Sequence, residues 1–186
     1  MDNIVALYTS ADGRIGRRTW WLASIALVVV VVVLELILAA VLGISFMPNL
    51  AAADPNADAA ALSAQIADSM HKSSWLSLIF FVIFLIPIYA LGMKRRHDRD
   101  NNGLDLIVYL ALTVLMMLLQ ALGIGYVEAT VGTVTVPMPG PIILGLNGIM
   151  IIYAIYLLVV MGFLKGTTGP NQYGPDPLTT GAAVPA

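Results

Sequence analysis

The sequence contains no cysteine and few charged residues. The lack of cysteine excludes disulfides, thiolate metal sites, thiol nucleophiles and S-acylation. Only 11% of the 186 residues are charged and 59% are hydrophobic, whereas average soluble domains are about 25% charged. A soluble domain of this size cannot bury so much apolar surface, because polar and charged residues must cover its outside. The composition therefore excludes an ordinary soluble enzyme, a disordered chain and a nucleic-acid binder, and it indicates a membrane protein.

Histidine is scarce as well, since His71 and His97 are the only two. A metal site at His97–Asp98 would need several further His or Asp ligands, and His71 is predicted on the opposite side of the membrane. The sequence also lacks a Ser-His-Asp constellation and the Gly-rich strand-to-helix turn of a nucleotide site. We therefore expect no catalytic residues, no metal and no cofactor, and we predict that the protein is not an enzyme.

Four apolar segments are long enough to cross a membrane as helices, since about 30 Å of hydrocarbon requires roughly 20 residues. They are predicted at about 19–46, 75–93, 104–124 and 142–164. The first is too long for the apolar core of a cleaved signal peptide, which is about 7–15 residues. The predicted fold is an all-α integral membrane protein, a bundle of four transmembrane helices in a single membrane domain over residues 1–186.

The basic residues are distributed unevenly among the connections. Eight of the nine lie before the first span, between the second and third, or after the fourth, and in a four-span protein these places share one side. Cytoplasmic connections of membrane proteins carry an excess of Lys and Arg. We therefore predict a multi-pass protein of the bacterial inner (plasma) membrane with both termini in the cytoplasm. The eight residues are Arg14, Arg17, Arg18, Lys94, Arg95, Arg96, Arg99 and Lys165.

The two connections on the predicted outer side have different patterns. Asp54–Pro55 is typical of a helix N-terminus, and Leu62, Ile66 and Met70 recur at helical spacing. Together they predict a short amphipathic helix on the outer surface. Residues 128–141 alternate Val with Thr or Gly and end in a run rich in proline, which indicates an extended segment or a small hairpin.

Three motifs on the predicted cytoplasmic side resemble those of a known family. The first is Gly13–Trp21 (GRIGRRTWW), the second combines Pro87, Lys94–Asp98 (KRRHD) and Gly103, and the third is Gly169–Pro177 (GPNQYGPDP). In order and spacing they resemble the YhaH-like family of small bacterial inner-membrane proteins, the domain of unknown function 805. The resemblance implies an inner-membrane protein with no established activity. The chain departs from the family pattern at Arg96, Asn102 and Leu104–Asp105, which stand where the family has a leucine, a serine and an aromatic pair.

These motifs are expected to meet at the cytoplasmic face as one polar cluster, because each lies close to the inner end of a span. One interpretation is a site that binds phosphate, on lipid headgroups or on a soluble anion, since Arg and Lys attract both. The other is a topology anchor with internal ion pairs, onto which the tail folds back as a clasp. The candidate residues are Arg14, Arg17, Arg18, Lys94, Arg95, Arg96, His97, Asp98, Asn171, Tyr173 and Asp176.

The cations of this cluster would repel one another unless acids intervene. We predict that Asp98 and Asp176 each pair with an arginine of another segment. That pairing would order the tail, residues 166–186, to about residue 177. His97 is expected to donate a hydrogen bond to a carbonyl or to one of these carboxylates.

A second candidate site lies inside the predicted membrane region. Glu35, Gln120 and Asn147 come from three different spans and are predicted at a similar depth in the outer leaflet. Acids inside spans are functional candidates, so the three form either part of a proton or solute pathway or a hydrogen-bonded structural layer.

The function that these patterns predict is structural. We expect a small non-enzymatic structural or adaptor protein of the inner membrane that contacts anionic lipid headgroups or a partner membrane protein. The alternative is a small transporter or channel that uses the layer at Glu35. Because four short spans enclose little volume, transport would require a homo-oligomer.

Overall fold

The computed structural model describes residues 4–44 and 58–179, and most of these residues are helical. In chain order the elements are α1 (Ile4–Thr9), α2 (Arg17–Leu42), α3 (Ala59–Ile83), α4 (Leu85–His97), α5 (Leu104–Ala121), β1 (Tyr126–Val131), β2 (Val134–Pro139) and α6 (Pro141–Leu158). Helix α6 continues directly into a π-helical turn, Val159–Phe163.

Three helices of the described residues are long and apolar enough to cross a membrane, namely α2, α5 and α6 with its π-helical turn. A fourth span exists if α3 and α4 count as one broken helix. Many apolar side chains of α2 and α6 are exposed, such as Val28 and Ile152. Exposed apolar faces are what lipid-facing helices require, since lipid tails are as apolar as leucine. The expectation of a helical membrane protein is therefore confirmed, with three or four candidate spans among the described residues.

Helix α2 ends earlier than the span predicted at 19–46. It ends at Leu42, and Gly43 follows with φ +65. The N–H of Ile44 then bonds to the carbonyl of Ala39 at 2.8 Å, which is the arrangement that commonly closes a helix at glycine. The end of the predicted span and the Asp54–Pro55 helix start fall within 45–57, outside the described residues.

The short outer helix predicted after Asp54–Pro55 is not a separate element. Leu62, Ile66 and Met70 all lie in α3, which runs without interruption from Ala59 to Ile83. Between residues 58 and 86 the sequence has neither glycine nor proline, so no residue there ends the helix before the second apolar segment begins. The prediction of a separate outer helix was therefore wrong in the described residues.

The helix breaks instead inside the second predicted span, 75–93. Phe84 separates α3 from α4 and has φ −90 and ψ 6. The cause is Pro87, which has no N–H to bond to the carbonyl of Ile83 and whose ring collides with that carbonyl in a regular helix. The second predicted span thus consists of the end of α3 and most of α4.

The all-α prediction is incomplete, because β1 and β2 form an antiparallel hairpin. The register runs from Tyr126 opposite Pro139 to Val131 opposite Val134. The two-residue turn between the strands begins with Gly132, whose φ of +67 suits a tight hairpin. The extended segment or small hairpin predicted within 128–141 is therefore confirmed.

The chain divides into two compact units. Met1–Val31, Ile83–Leu112 and Ile151–Ala186 form the first, and Val32–Val82 and Thr113–Met150 form the second. All three sequence motifs lie in the first unit, so the candidate polar cluster belongs to it. Buried apolar residues of this unit include Ile15, Trp20, Leu91, Leu106 and Leu157.

Candidate functional site

The basic end of α4 is buried in the first unit. Lys94, Arg95, Arg96 and His97 occupy the last turn of the helix, and Asp98 follows it directly. All five residues are at most 9% exposed. Lys and Arg are rarely buried unless they are paired, because an unpaired charge loses its hydration. Cations at a helix C-terminus do interact favourably with the helix dipole, but each of these side chains also needs hydrogen-bond partners.

Asp98 is the shared counter-ion of two buried arginines. Its Oδ1 accepts from Nε of Arg14 at 3.2 Å and from Nη2 of Arg14 at 3.1 Å. Its Oδ2 accepts from Nη1 of Arg95. Arg14 comes from the segment before α2 and Arg95 from α4, so this carboxylate joins two parts of the chain. The predicted pairing of Asp98 with an arginine of another segment is confirmed.

Carbonyls of the π-helical turn and of Leu164 accept hydrogen bonds from four neighbouring side chains. A π-helical turn and a helix C-terminus both leave carbonyls without a partner in the regular α-helical pattern. Side-chain donors satisfy five successive carbonyls here, and three of the four donor residues are arginines. The bonds are Arg99 Nη1 to Val160 (3.4 Å), Arg95 Nε to Met161 (2.6 Å), Trp21 Nε1 to Gly162 (3.1 Å), Arg17 Nη1 to Phe163 (2.8 Å) and Arg95 Nη2 to Leu164.

The tail is hydrogen-bonded to the same polar cluster. Arg14 donates from Nη1 to the carbonyl of Gly169 at 2.8 Å and from Nη2 to the carbonyl of Thr167 at 2.7 Å. Asn171 Nδ2 donates to the carbonyl of His97 at 2.9 Å. The N–H of Thr167 donates to the carbonyl of Asp98 at 2.8 Å. The described tail, which extends through Thr179, is thus a clasp over the end of α4.

Asp176 anchors the distal part of this clasp. The carboxylate is buried and accepts from the N–H of Leu178 at 2.9 Å and from the N–H of Gly169 at 3.0 Å. These hydrogen bonds hold the pKa of Asp176 below its ordinary value of 3.8, and the charge of Arg14 lowers it further. Backbone N–H groups have the largest effect on this carboxylate, and Arg14, which comes from another segment, is the cation that acts on it.

Two further cations of α4 have partners elsewhere in the first unit. Arg96 Nη2 lies 2.6 Å from Oδ2 of Asp105. Lys94 Nζ donates to the carbonyls of Ala6 and Leu7 at the end of α1. Both side chains therefore hold neighbouring segments together instead of reaching solvent.

His97 has backbone hydrogen bonds with Gly13 and Ala11, in line with the predicted bond to a carbonyl, and it also makes a ring contact. Its ring stacks on the ring of Tyr173, with centroids 3.9 Å apart and planes at 4°. The Nδ1 atom of His97 and the Nε atom of Arg96 are buried without a hydrogen-bond partner among the described residues. Within residues 4–44 and 58–179, no group of three or more potential ligand side chains is arranged to hold a metal ion.

A cavity of about 610 Å³ lies beside the cluster in the first unit. Asp98 and Asp176 line it, and the tail residues Pro177 and Leu178 complete one wall. The cationic lining residues Arg17, Arg18 and Lys165 are exposed, unlike the cations of α4. The polar lining residues with positive charge or hydroxyl groups are Arg17, Arg18, Lys165, Thr19, Thr167 and Thr168.

Among the described residues of the second unit, hydrogen bonds do not connect the three members of the predicted intramembrane layer. Glu35 Oε1 accepts from the hydroxyl of Ser77 at 2.5 Å, and no hydrogen bond among the described residues joins it to Gln120 or Asn147. Gln120 is exposed and lines a separate cavity of about 160 Å³ together with His71. Asn147 is half-buried on α6. Ser77 was missed as a partner because a lone serine in an apolar segment carries no distinctive sequence signal.

Sequence reasoning also missed two parts of the cluster. Helix α1 was not predicted, although Ile4, Val5 and Leu7 supply its apolar side chains. The carbonyls of the π-helical turn were missed because any residue can supply a carbonyl. Position relative to the arginines, rather than residue type, makes those carbonyls part of the site.

The fold and the cluster define a helical membrane protein in which a buried, ion-paired basic cluster joins the segment before α2, the end of α4 and the described part of the tail. Residues 8–175 match the family model described as "Protein of unknown function (DUF805)", and the chain belongs to this family. The resemblance carried by the three motifs is therefore confirmed. No curated protein and no solved structure matches the chain significantly.

Proposed function

We propose that this chain is a non-enzymatic structural or adaptor protein of the bacterial inner membrane, whose exposed cations beside the basic cluster bind the phosphate of anionic lipids at the cytoplasmic face. The cluster itself serves as the scaffold that holds those cations in place. In this proposal the lipid surface is the principal partner, and a partner membrane protein or a second copy would bind the same face.

The observation that carries this proposal is the division of the cations into two sets. Arg14, Arg95 and Arg96 have their guanidinium groups bonded to carboxylates or carbonyls inside the protein. Arg18 and Lys165 are exposed and line the 610 Å³ cavity. The inner set supports the interpretation as an internal ion-pair network, and the exposed set supports the interpretation as a phosphate site.

The surroundings of the exposed set suit a phosphate group. Thr19, Thr167 and Thr168 add hydroxyl groups to the cavity lining, and hydroxyls and basic side chains are the usual phosphate ligands in proteins. Gly16 and Arg17 also line it at the N-terminus of α2, where the helix dipole favours an anion. Of the two carboxylates in the wall, Asp98 is paired with two arginines, and Asp176 accepts hydrogen bonds from two backbone N–H groups.

Lipid binding in nanodiscs tests the proposal. We expect the wild-type protein to retain phosphatidylglycerol over phosphatidylcholine in native mass spectrometry. The double variant Arg18→Gln/Lys165→Gln should lose affinity about fivefold per charge, because a basic residue near an anionic surface contributes about 1 kcal/mol. The matched control is Lys72→Gln, since Lys72 is exposed, far from this cavity in sequence, and paired with Asp68. Equal retention of both lipids, or an equal loss in the control, would refute the proposal.

The transport alternative has no specific observation in its favour. A pathway at Glu35 would need a polar cavity beside that residue, and neither of the two cavities described above is lined by Glu35. The bond between Glu35 and Ser77 instead supports a structural role, because it satisfies the acid inside the second unit.

A further inference from the structure

The tail contributes to the cavity and to the clasp at the same time. Thr167, Thr168, Pro177 and Leu178 line the cavity. The carboxylate of Asp176, which also lines the cavity, accepts hydrogen bonds from the N–H groups of Gly169 and Leu178. A tail that leaves the cluster therefore removes one wall of the cavity.

We propose that the tail, residues 166–179, is a lid over a phosphate site, so that phosphate binding and attachment of the tail stabilise each other. This inference rests on the proposed function and adds its regulation. A ligand that binds only the closed form must favour closure, and by thermodynamic linkage closure must raise affinity for the ligand by the same factor.

The proposed phosphate site has a fixed side and a detachable side, and the lid is the detachable one. The fixed side is the start of α2 with Arg17 and Arg18, where Arg17 is bonded to the carbonyl of Phe163. The detachable side is the described segment 167–179, which contains no helix or strand and is held by Arg14, Asp98 and Asp176. Segments held by a few hydrogen bonds open at lower free energy than helices do. The tail is therefore the part of the site that opens.

Two sources would supply the same ligand chemistry, a phosphate group on a lipid and a free phosphate ion. Hydrogen–deuterium exchange of the full chain in detergent is measured with inorganic phosphate, with phosphatidylglycerol micelles, with phosphatidylcholine micelles and without ligand. The reporters are the N–H groups of Gly169, Leu178 and Thr179, each bonded to Asp176. At a hundredfold excess over Kd, exchange of these amides should slow about 100-fold. Protection by both anionic ligands indicates a site for phosphate in general, and protection by phosphatidylglycerol alone indicates a lipid site.

The variant Asp176→Asn distinguishes closure of a lid from a purely electrostatic effect on phosphate affinity. It removes a negative charge from the cavity wall, so electrostatics alone predicts tighter phosphate binding. Linkage predicts the reverse, because a weaker clasp makes the closed form rarer and lowers the apparent affinity. We expect phosphate affinity to fall at least about fivefold, the lower end of typical coupling between sites.

The matched control is Asp100→Asn. Asp100 is exposed, lies just after the basic last turn of α4 and has φ +55. Asparagine also tolerates this backbone conformation. Asp100 carries the same charge as Asp176 but does not line the cavity. The phosphate affinity of the Asp100→Asn variant should therefore stay within about twofold of that of the wild type.

The outcomes distinguish the two proposals. Phosphatidylglycerol binding that leaves exchange of the tail unchanged, or tighter binding by Asp176→Asn, would refute the lid and leave the proposed function standing. If neither phosphate nor phosphatidylglycerol binds, both proposals fail. Because the exchange comparison uses the wild-type chain, a folding defect in the variant would not obscure the result.

Discussion

At the scale of single residues, Asp98 is the group on which the cluster depends most. Its two oxygens face two guanidinium groups, and it is 3% exposed. A buried charge pair contributes little net stability compared with apolar side chains, but removing one partner leaves an uncompensated buried charge. Asp98 is therefore expected to matter far more for stability than an exposed acid of the same type.

The variant Asp98→Asn should destabilise the protein by about 3–5 kcal/mol, because Arg14 and Arg95 lose their shared counter-ion while they remain buried. Denaturation in detergent, followed by circular dichroism, measures the change. The control is Asp68→Asn, which breaks an exposed pair with Lys72 and should cost about 0–1 kcal/mol. Similar losses in the two variants would show that Asp98 is not the counter-ion we describe.

The tail should also respond to acid through Asp176. Its pKa is lowered from 3.8 in the folded protein, so the ionised form stabilises the clasp. That stabilisation is complete above pH 3.8 and is lost as the pH falls through the lowered pKa.

Pepsin cleavage of the tail, compared between the wild type and Asp176→Asn at each pH, measures this effect. The wild type should be cleaved more slowly above pH 3.8, and the difference should disappear at lower pH. A cleavage ratio that does not change with pH would contradict this role for Asp176.

At the scale of elements, the π-helical turn and the segment after it pack so closely against neighbouring segments that two positions there leave no space for a side chain. A Cβ on Gly162 would lie 2.8 Å from the ring of Trp21. A Cβ on Gly166 would collide with the carboxylate of Asp98 and lie 2.8 Å from its carbonyl oxygen. The end of α6 therefore approaches α2 and the turn after α4 as closely as the backbone allows.

The variant Gly166→Ala should destabilise the first unit by about 1–3 kcal/mol, the usual cost of an overpacked site. Thermal denaturation in detergent measures the change. The control is Gly148→Ala, because a Cβ there meets no atom within 4 Å and alanine favours a helix over glycine by about 0.5–1 kcal/mol. If Gly166→Ala were as stable as the wild type, the close contact with Asp98 would be refuted.

At the scale of the whole molecule, the orientation in the membrane is still a prediction from the charges. We expect a reporter that is active only in the cytoplasm to be active when fused after Pro177 or inserted at Asn101. It should be silent at Ala60 and at Gly132, because these positions belong to the connections with few basic residues.

Two patterns of reporter activity would contradict different parts of this topology. The reverse pattern at all four positions would overturn the argument from Lys and Arg. Equal activity at Ala60 and Asn101 would show that α3 and α4 together do not cross the membrane, and the protein would then have three spans.

The success of the sequence-based predictions follows the range of the interactions involved. Apolar segments and their lengths are local properties, so the helices α2, α5 and α6 lie near their predicted positions. The break at Phe84 was missed although Pro87 was visible, because the apolar pattern continues across it. The separate outer helix was wrong because N-terminal signals do not show where a helix ends when no breaker follows.

The sequence by itself determined that the chain belongs in a membrane, that it carries a basic cluster, and that Asp98 would pair with an arginine. Composition and charge determine these properties wherever the segments lie. Only the tertiary structure decided which cations are buried, and that Arg95 and Arg17 bond to carbonyls of the last helix. Every residue has a carbonyl, so its availability depends on the local backbone and on which side chains the fold brings near it. For the same reason, only the structure separated the buried Arg95 from the exposed Arg18, although both are arginines in a basic motif.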